Sequence, residues 1–274
     1  MPTTIEITRC LFLRLALLTG LLVASALPAW AQTTFGYSYE FRRCDDAVVE
    51  IVGNHFQLDN FSYQEEGGLV VADECKPWPT DKSRMIAAFA YDAGIDKEIE
   101  LPEKQILLAL VDIPNKQVIA SYKTSILEDA TTEVGESSLR LDTARYTLSK
   151  TTHAFALRLS TFRGRCAYEG GYGDELTLFV VSGKELRPVL SQTMFHYWQA
   201  GVTCGGGGDV VVINAFTYIA IENTSTNGFA DLRFSAKSNA AKKPPSVVVK
   251  YNGKNYDLAP WNKAFNSWWE SVSP

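Results

Sequence analysis

The stretch LTLFVVSGKELRPVL (176–190) sets two apolar runs, Leu176–Val181 and Leu186–Leu190, on either side of Ser182-Gly183-Lys184. Each run has strand length, and the glycine-bearing interval has turn length, so the segment predicts a β-hairpin. The same grammar repeats outward. Leu107–Val111 and Val118–Thr124 flank Pro114-Asn115-Lys116, a second hairpin. Val247–Tyr251 and Lys254–Leu258 flank Asn252-Gly253, the residue pair best suited to the positive φ angles of a type I′ turn. Phe155, Leu157 and Leu159 alternate with Ala156, Arg158 and Ser160, a period of two that buries one face. Val210–Ile213, Phe216–Ile221 and Ala230–Ala236, the last following Asn227-Gly228, add further strands.

Helical signals are few. Met85–Ala90 fits a short helix on composition, yet Phe89, Tyr91 and Gly94 fit a strand equally well. Near the C-terminus, apolar residues at 261, 264, 265, 268, 269 and 272 recur at helical spacing and predict a short amphipathic helix packed on the sheet. Short strands without alternating helices predict an all-β fold: an antiparallel, jelly-roll-like β-sandwich with that C-terminal helix, a propeller-like arrangement or a barrel being the alternative.

The N-terminus reads as an export signal. Arg9 and Arg14 precede an apolar run, Leu15–Leu27, and Pro28-Ala29-Trp30-Ala31 supplies the small-x-small site, with cleavage expected between Ala31 and Gln32. The run is shorter than the about 20 residues of a comfortable membrane span. Cleavage at this site removes Arg9, Arg14 and Glu6, so a net charge of −5 becomes −6. A mildly acidic chain argues against nucleic acid or an anionic membrane as partner, since both select a positive field. The organisation expected is a signal peptide at 1–31, a cysteine-bearing segment at 32–80 and a main β domain at 81–274, with 32–80 belonging to the same domain.

Four cysteines follow the cleavage site: Cys44, Cys75, Cys166 and Cys204. An even number in an oxidising compartment predicts two disulfides, and four cysteines allow three connectivities. The favoured pairing is Cys44–Cys75 with Cys166–Cys204, because each bridge closes a modest loop. No Cys-x-x-Cys spacing points to zinc.

The segments SLRLDTARY (138–146), DELTLFVVSGKELRPVL (174–190), NGFADL (227–232) and KYNGKNY (250–256) resemble an uncharacterised family of exported proteins of Gram-negative bacteria. The resemblance spans roughly residues 80–258 and implies a periplasmic protein. It implies no activity and no functional residue.

Catalytic patterns are weak. There is no Gly-x-Ser-x-Gly turn, and His55, His153 and His196 are far apart in sequence. No histidine has another at metal-ligand spacing, Asp45-Asp46 and Glu65-Glu66 read as turn or surface charges, and no calcium-loop pattern occurs. Glu169, Asp174 and Glu175 beside Gly170-Gly171-Tyr172-Gly173 read as a solvated loop tied by Cys166. No cofactor is expected. The candidate binding residues are Arg163, Arg165, Tyr168 and Glu169, in a loop bridged to that of Cys204, together with Trp198, because Arg, Tyr and Trp are favoured interface anchors. The function expected is a non-catalytic periplasmic binding protein, such as an inhibitor or immunity factor for another envelope or secreted protein, with no integral membrane association after cleavage. The alternatives are a module binding carbohydrate or peptidoglycan through Trp198 and an envelope hydrolase whose catalytic set is not legible.

Overall fold

A computed structural model of the chain describes residues 43–96, 98, 100–163, 170–200 and 211–273. The expected signal peptide with its Ala31–Gln32 cleavage site, and Arg165, Cys166, Tyr168, Glu169 and Cys204, lie outside the described residues.

In chain order the elements are helix α1 (Asp46–Phe56), a 3-10 turn (Gln64–Glu66), and strands β1 (Val70–Trp78), β2 (Asp81–Ile95), β3 (Pro102–Asp112) and β4 (Gln117–Leu127). Then come β5 (Leu139–Thr147), β6 (His153–Leu159), β7 (Gly170–Ser182), β8 (Glu185–Ala200), β9 (Val211–Thr226), β10 (Phe229–Ser238), β11 (Ser246–Val249) and helix α2 (Ala259–Trp269). The all-β expectation with a short C-terminal helix holds, and the large sheet is nearly closed into a barrel. Its strand order is β1-β2-β3-β4-β8-β7-β6-β5. This is two antiparallel meanders, β1 to β4 and β5 to β8, sharing one core. Ile86, Leu108 and Leu110 of the first meander and Phe155, Leu157 and Phe179 of the second fill it.

The meanders join differently at their two edges. On one side a single parallel bridge links Ser121 to Glu185. On the other, side chains of β1 reach β5. The buried Glu74 carboxylate accepts the Leu141 N–H, and Lys76 Nζ donates to the Leu141 carbonyl at 2.6 Å while lying 3.4 Å from Glu74. Burial pushes the Glu74 pKa up; the Leu141 N–H and Lys76 oppose that shift.

Strands β2 and β3 are buried on both faces, since Ala87, Phe89, Leu107 and Ala109 pack outward under α1. That double burial makes Met85–Ala90 a continuous apolar run whose period is silent, and the structure resolves it as strand. Helix α1 escaped the sequence reading because its apolar face is Val48, Val49 and Val52, β-branched residues that read as strand. Asp46 in its first turn complements the helix dipole. A disulfide joins Cys44, just ahead of the helix, to Cys75 of β1, as expected.

The outer face of the second meander is covered by β9, β10, β11 and α2. Leu176 and Leu178, Leu232 and Phe234, and Trp261 and Phe265 share this second core. The hairpins at 114–116, 182–184 and 227–228 form, with positive φ at Asn227 (50°) and Gly228 (89°). The expected hairpin at Asn252-Gly253 is reduced to a turn with one Tyr251–Tyr256 bridge, and residues 254–258 form no strand. Tyr256 is claimed elsewhere: its N–H donates to the Val189 carbonyl at 2.9 Å and its hydroxyl to the Ala230 carbonyl at 2.8 Å.

Candidate functional site

Strand β7 starts at Gly170, β8 ends at Ala200 and β9 starts at Val211, and pairings of Gly170 with Trp198 and of Ala200 with Val211 put all three at one end of the sheet. The segments holding Cys166 and Cys204 therefore leave the described structure from this distal end. Directly paired residues project to the same face. Tyr172 with His196, Trp198 with Ile213, and Ala200 with Val211 thus share one face, the one toward α2. Phe195 and Tyr197 point to the other.

On the α2 face the His196 ring lies 4.7 Å from the Phe265 ring and 5.9 Å from that of Trp269. Its buried Nδ1 has no hydrogen-bond partner among the described residues. Burial lowers its pKa from 6.5 to about 4. The unfolded chain then binds the extra proton between these values, so this contribution to stability is complete above pH 6.5 and is lost as pH falls toward 4. The loss expected is about 3 kcal/mol. The buried carboxyl groups of Asp73 and Glu74, raised chiefly by burial, act in the opposite direction, so the measurement is a difference. Urea midpoints at pH 7 and about pH 4.5 should separate less in His196→Phe than in wild type. Equal separations would exclude His196 as the source.

Beyond Phe265 and Trp269 this face opens to solvent. Tyr172 is 51% exposed and Val211 56% exposed, while Trp198 is half-buried. Phe162 lies at the strand edge, its ring 5.4 Å from that of Tyr172 and 6.3 Å from that of Tyr197. A Cβ on Gly171 would sit 2.5 Å from the Tyr197 ring and 2.6 Å from the Phe162 ring, so glycine there lets both rings close over the strand. Arg163, next in sequence to Phe162, is fixed by its N–H to the Thr131 carbonyl (2.7 Å) and by an exposed ion pair with Glu133.

Asp174 marks where the distal end begins. Its φ of 55° is left-handed, tolerable for Asp, and its carboxylate is clamped by Arg140 (3.0 Å) and Arg158 (2.5 Å). Arg158 also pairs with Asp142 at 3.0 Å. The clamp holds a conformation that the backbone alone would resist. Glu175, beside it, is exposed. Two of the residues expected to bind, Arg163 and Trp198, thus fall at one end of the fold. Tyr172 was missed as a binding candidate; its only sequence signal is an aromatic ring alone among glycines.

The remaining chemistry is dispersed. His55 Nε2 and Ser121 Oγ are 3.1 Å apart on an exposed surface, a contact of the nucleophile–base kind. His153 meets Thr147 at 3.2 Å. Among the described residues no group of three His, Cys, Asp or Glu is placed to hold a metal, and no helix is long and apolar enough to cross a membrane. A cleft of about 430 Å³ beside α1 carries Asp46, Glu50 and Glu66 around Val49, Gly53 and Phe61. Compared with protein-family models, curated proteins and solved structures, the chain matches none of them.

Proposed function

We propose that this chain is an exported, periplasmic binding protein without catalytic chemistry, which engages another envelope or secreted protein through the distal end of its sheet, as an inhibitor or immunity factor does. One observation carries the reading: exposed Tyr172 and Val211 share a face with half-buried Trp198 on hydrogen-bonded strands, with Arg163 alongside. Large rings on a fixed backbone supply contact area at little ordering cost. The partner is occluded sterically, with little backbone change on binding.

The loop residues Arg165, Tyr168 and Glu169, and a Cys166–Cys204 bridge, belong to the same proposal. Gly170 and Trp198 are paired, and they lie four residues after Cys166 and six before Cys204. At about 3.3 Å per extended residue, chain lengths of four and six residues are compatible with such a bridge.

Affinity capture of the tagged mature protein from cross-linked envelope extract of its host, read by mass spectrometry, tests the reading. A stoichiometric protein partner is expected, with recovery falling at least about tenfold in Tyr172→Ser and Arg163→Glu, both at exposed sites. A partner held equally by both variants would remove the distal end from the function. Trp198 beside Tyr172 supports a second reading, stacking on cell-wall glycan. Retention on sacculi that Trp198→Ala abolishes, with no protein partner recovered, would replace the first reading by the second.

A further inference from the structure

A different surface, on β9, carries an inference independent of the distal end. From Val211 to Phe216 one edge of β9 pairs with β8, and from Ala215 to Thr226 the other pairs with β10. Beyond Phe216 the first edge has no ladder partner among the described residues. Along Thr217–Ile221, where the ladder to β10 is regular, alternate residues therefore turn unpaired backbone N–H and C=O groups to this edge.

Exposed edges are normally guarded by lysine, proline, brevity or a bulge. The other edge of this layer is guarded: β11 has four residues and follows Pro244-Pro245. Strand β9 is sixteen residues long and contains no lysine, arginine, proline or glycine; its one charge is Glu222, and its one irregularity, opposite Asp231, begins beyond Ile221, so the ladder to β10 is regular from Ala215 to Ile221. Tyr218 and Ile221 on the open edge are exposed large side chains.

We infer that a second copy of this chain docks on this edge, antiparallel about a two-fold axis at Ala220, making one continuous sheet across the two copies. The arrangement of side chains supports this occupant and this register. With Ala220 opposite its equivalent, Ile219 faces Ile221 twice on the core side. On the outer side Tyr218 faces Glu222. Lys237 Nζ lies over the Tyr218 ring at 5.0 Å, so it meets the Glu222 of the other copy, whose carboxylate already pairs with Arg233 of its own chain. Lys237 of β10 lies over Tyr218 and Glu222 lies four residues further along β9, so the two-fold brings the two together twice. Such an interface is isologous and closed, so it caps the edge instead of propagating a fibre.

Sedimentation velocity of the mature chain from about 1 to about 100 μM tests it, and a dimer is expected within that range. Ile221→Lys puts a charge beside Ile219 of the other copy and should leave only monomer. Lys237→Glu, at an exposed site, sets carboxylates together and should raise the dimer dissociation constant about tenfold or more, a cost near 1.4 kcal/mol. Adding Glu222→Lys should restore the affinity. A wild-type chain that stays monomeric throughout, or a dimer unmoved by both Ile221→Lys and Lys237→Glu, would overturn the inference.

Discussion

Trp261→Ala should lower folding stability by about 3–5 kcal/mol, the range for removing a fully buried large aromatic side chain. Trp261 is 0% exposed, its ring 5.5 Å from that of Phe234 and 5.3 Å from that of Phe265. It is the wedge through which α2 holds β10, so the cavity left behind has walls on a helix and a sheet that cannot both collapse into it. Its indole N–H has no hydrogen-bond partner among the described residues. An unmade bond of that kind carries a cost of about 1–3 kcal/mol, which Trp261→Phe removes while retaining much of the ring. Phenylalanine should therefore cost less than half as much as alanine. Urea midpoints at constant slope measure both, and an alanine variant within about 1 kcal/mol of wild type would show that α2 is not anchored there.

The double variant Cys44→Ala, Cys75→Ala should cost about 3–4 kcal/mol by chain-entropy reasoning for the 31-residue separation that the bridge spans. The bridge does not act alone. The Cys44 N–H donates to the Asp73 carboxylate at 2.6 Å, and the Tyr63 hydroxyl contacts both that carboxylate (3.1 Å) and the Cys44 carbonyl (2.9 Å). Arg43 covers the Tyr63 ring at 3.5 Å. Loss of the bridge frees this buried polar cluster to admit water, so the helix it tethers should loosen before the barrel does. Hydrogen exchange should show α1 amides losing protection in the variant while β2 and β3 retain theirs. Uniform loss across α1 and the barrel would mean that the bridge stabilises the whole unit without a local role.

The hairpins at 114–116, 182–184 and 227–228 are legible because alternation and turn residues are local, whereas the same Asn-Gly pair at 252–253 yields only a turn, because Tyr256 is held by Val189 and Ala230. Helix α1 is not legible, since three valines look like a strand until Phe89 and Leu107 provide a surface for them. The sequence splits strand β9 into two apolar runs because Asn214 interrupts the pattern, although its backbone continues the ladder to Tyr197. At the distal end the residue types of Arg163 and Trp198 were readable, but the face they occupy was not. An irregularity between Leu178 and Phe179, with Val189 as the extra residue on β8, shifts the register and with it the direction of every later side chain. The left-handed φ of Asp174 within β7 is likewise invisible without Arg140 and Arg158, which are distant in sequence.

The seam at Leu141 has a kinetic meaning. Each meander is built from neighbours in sequence, whereas the barrel is closed by one bridge at Ser121–Glu185 and by Glu74 and Lys76, some 65 residues from Leu141 in the chain. Local pairings form early and distant ones pay for loop closure first. The two meanders are therefore expected to assemble separately, with closure at Leu141 as the late event on the folding path. Substitutions at Glu74 should then speed unfolding and leave the folding rate nearly unchanged.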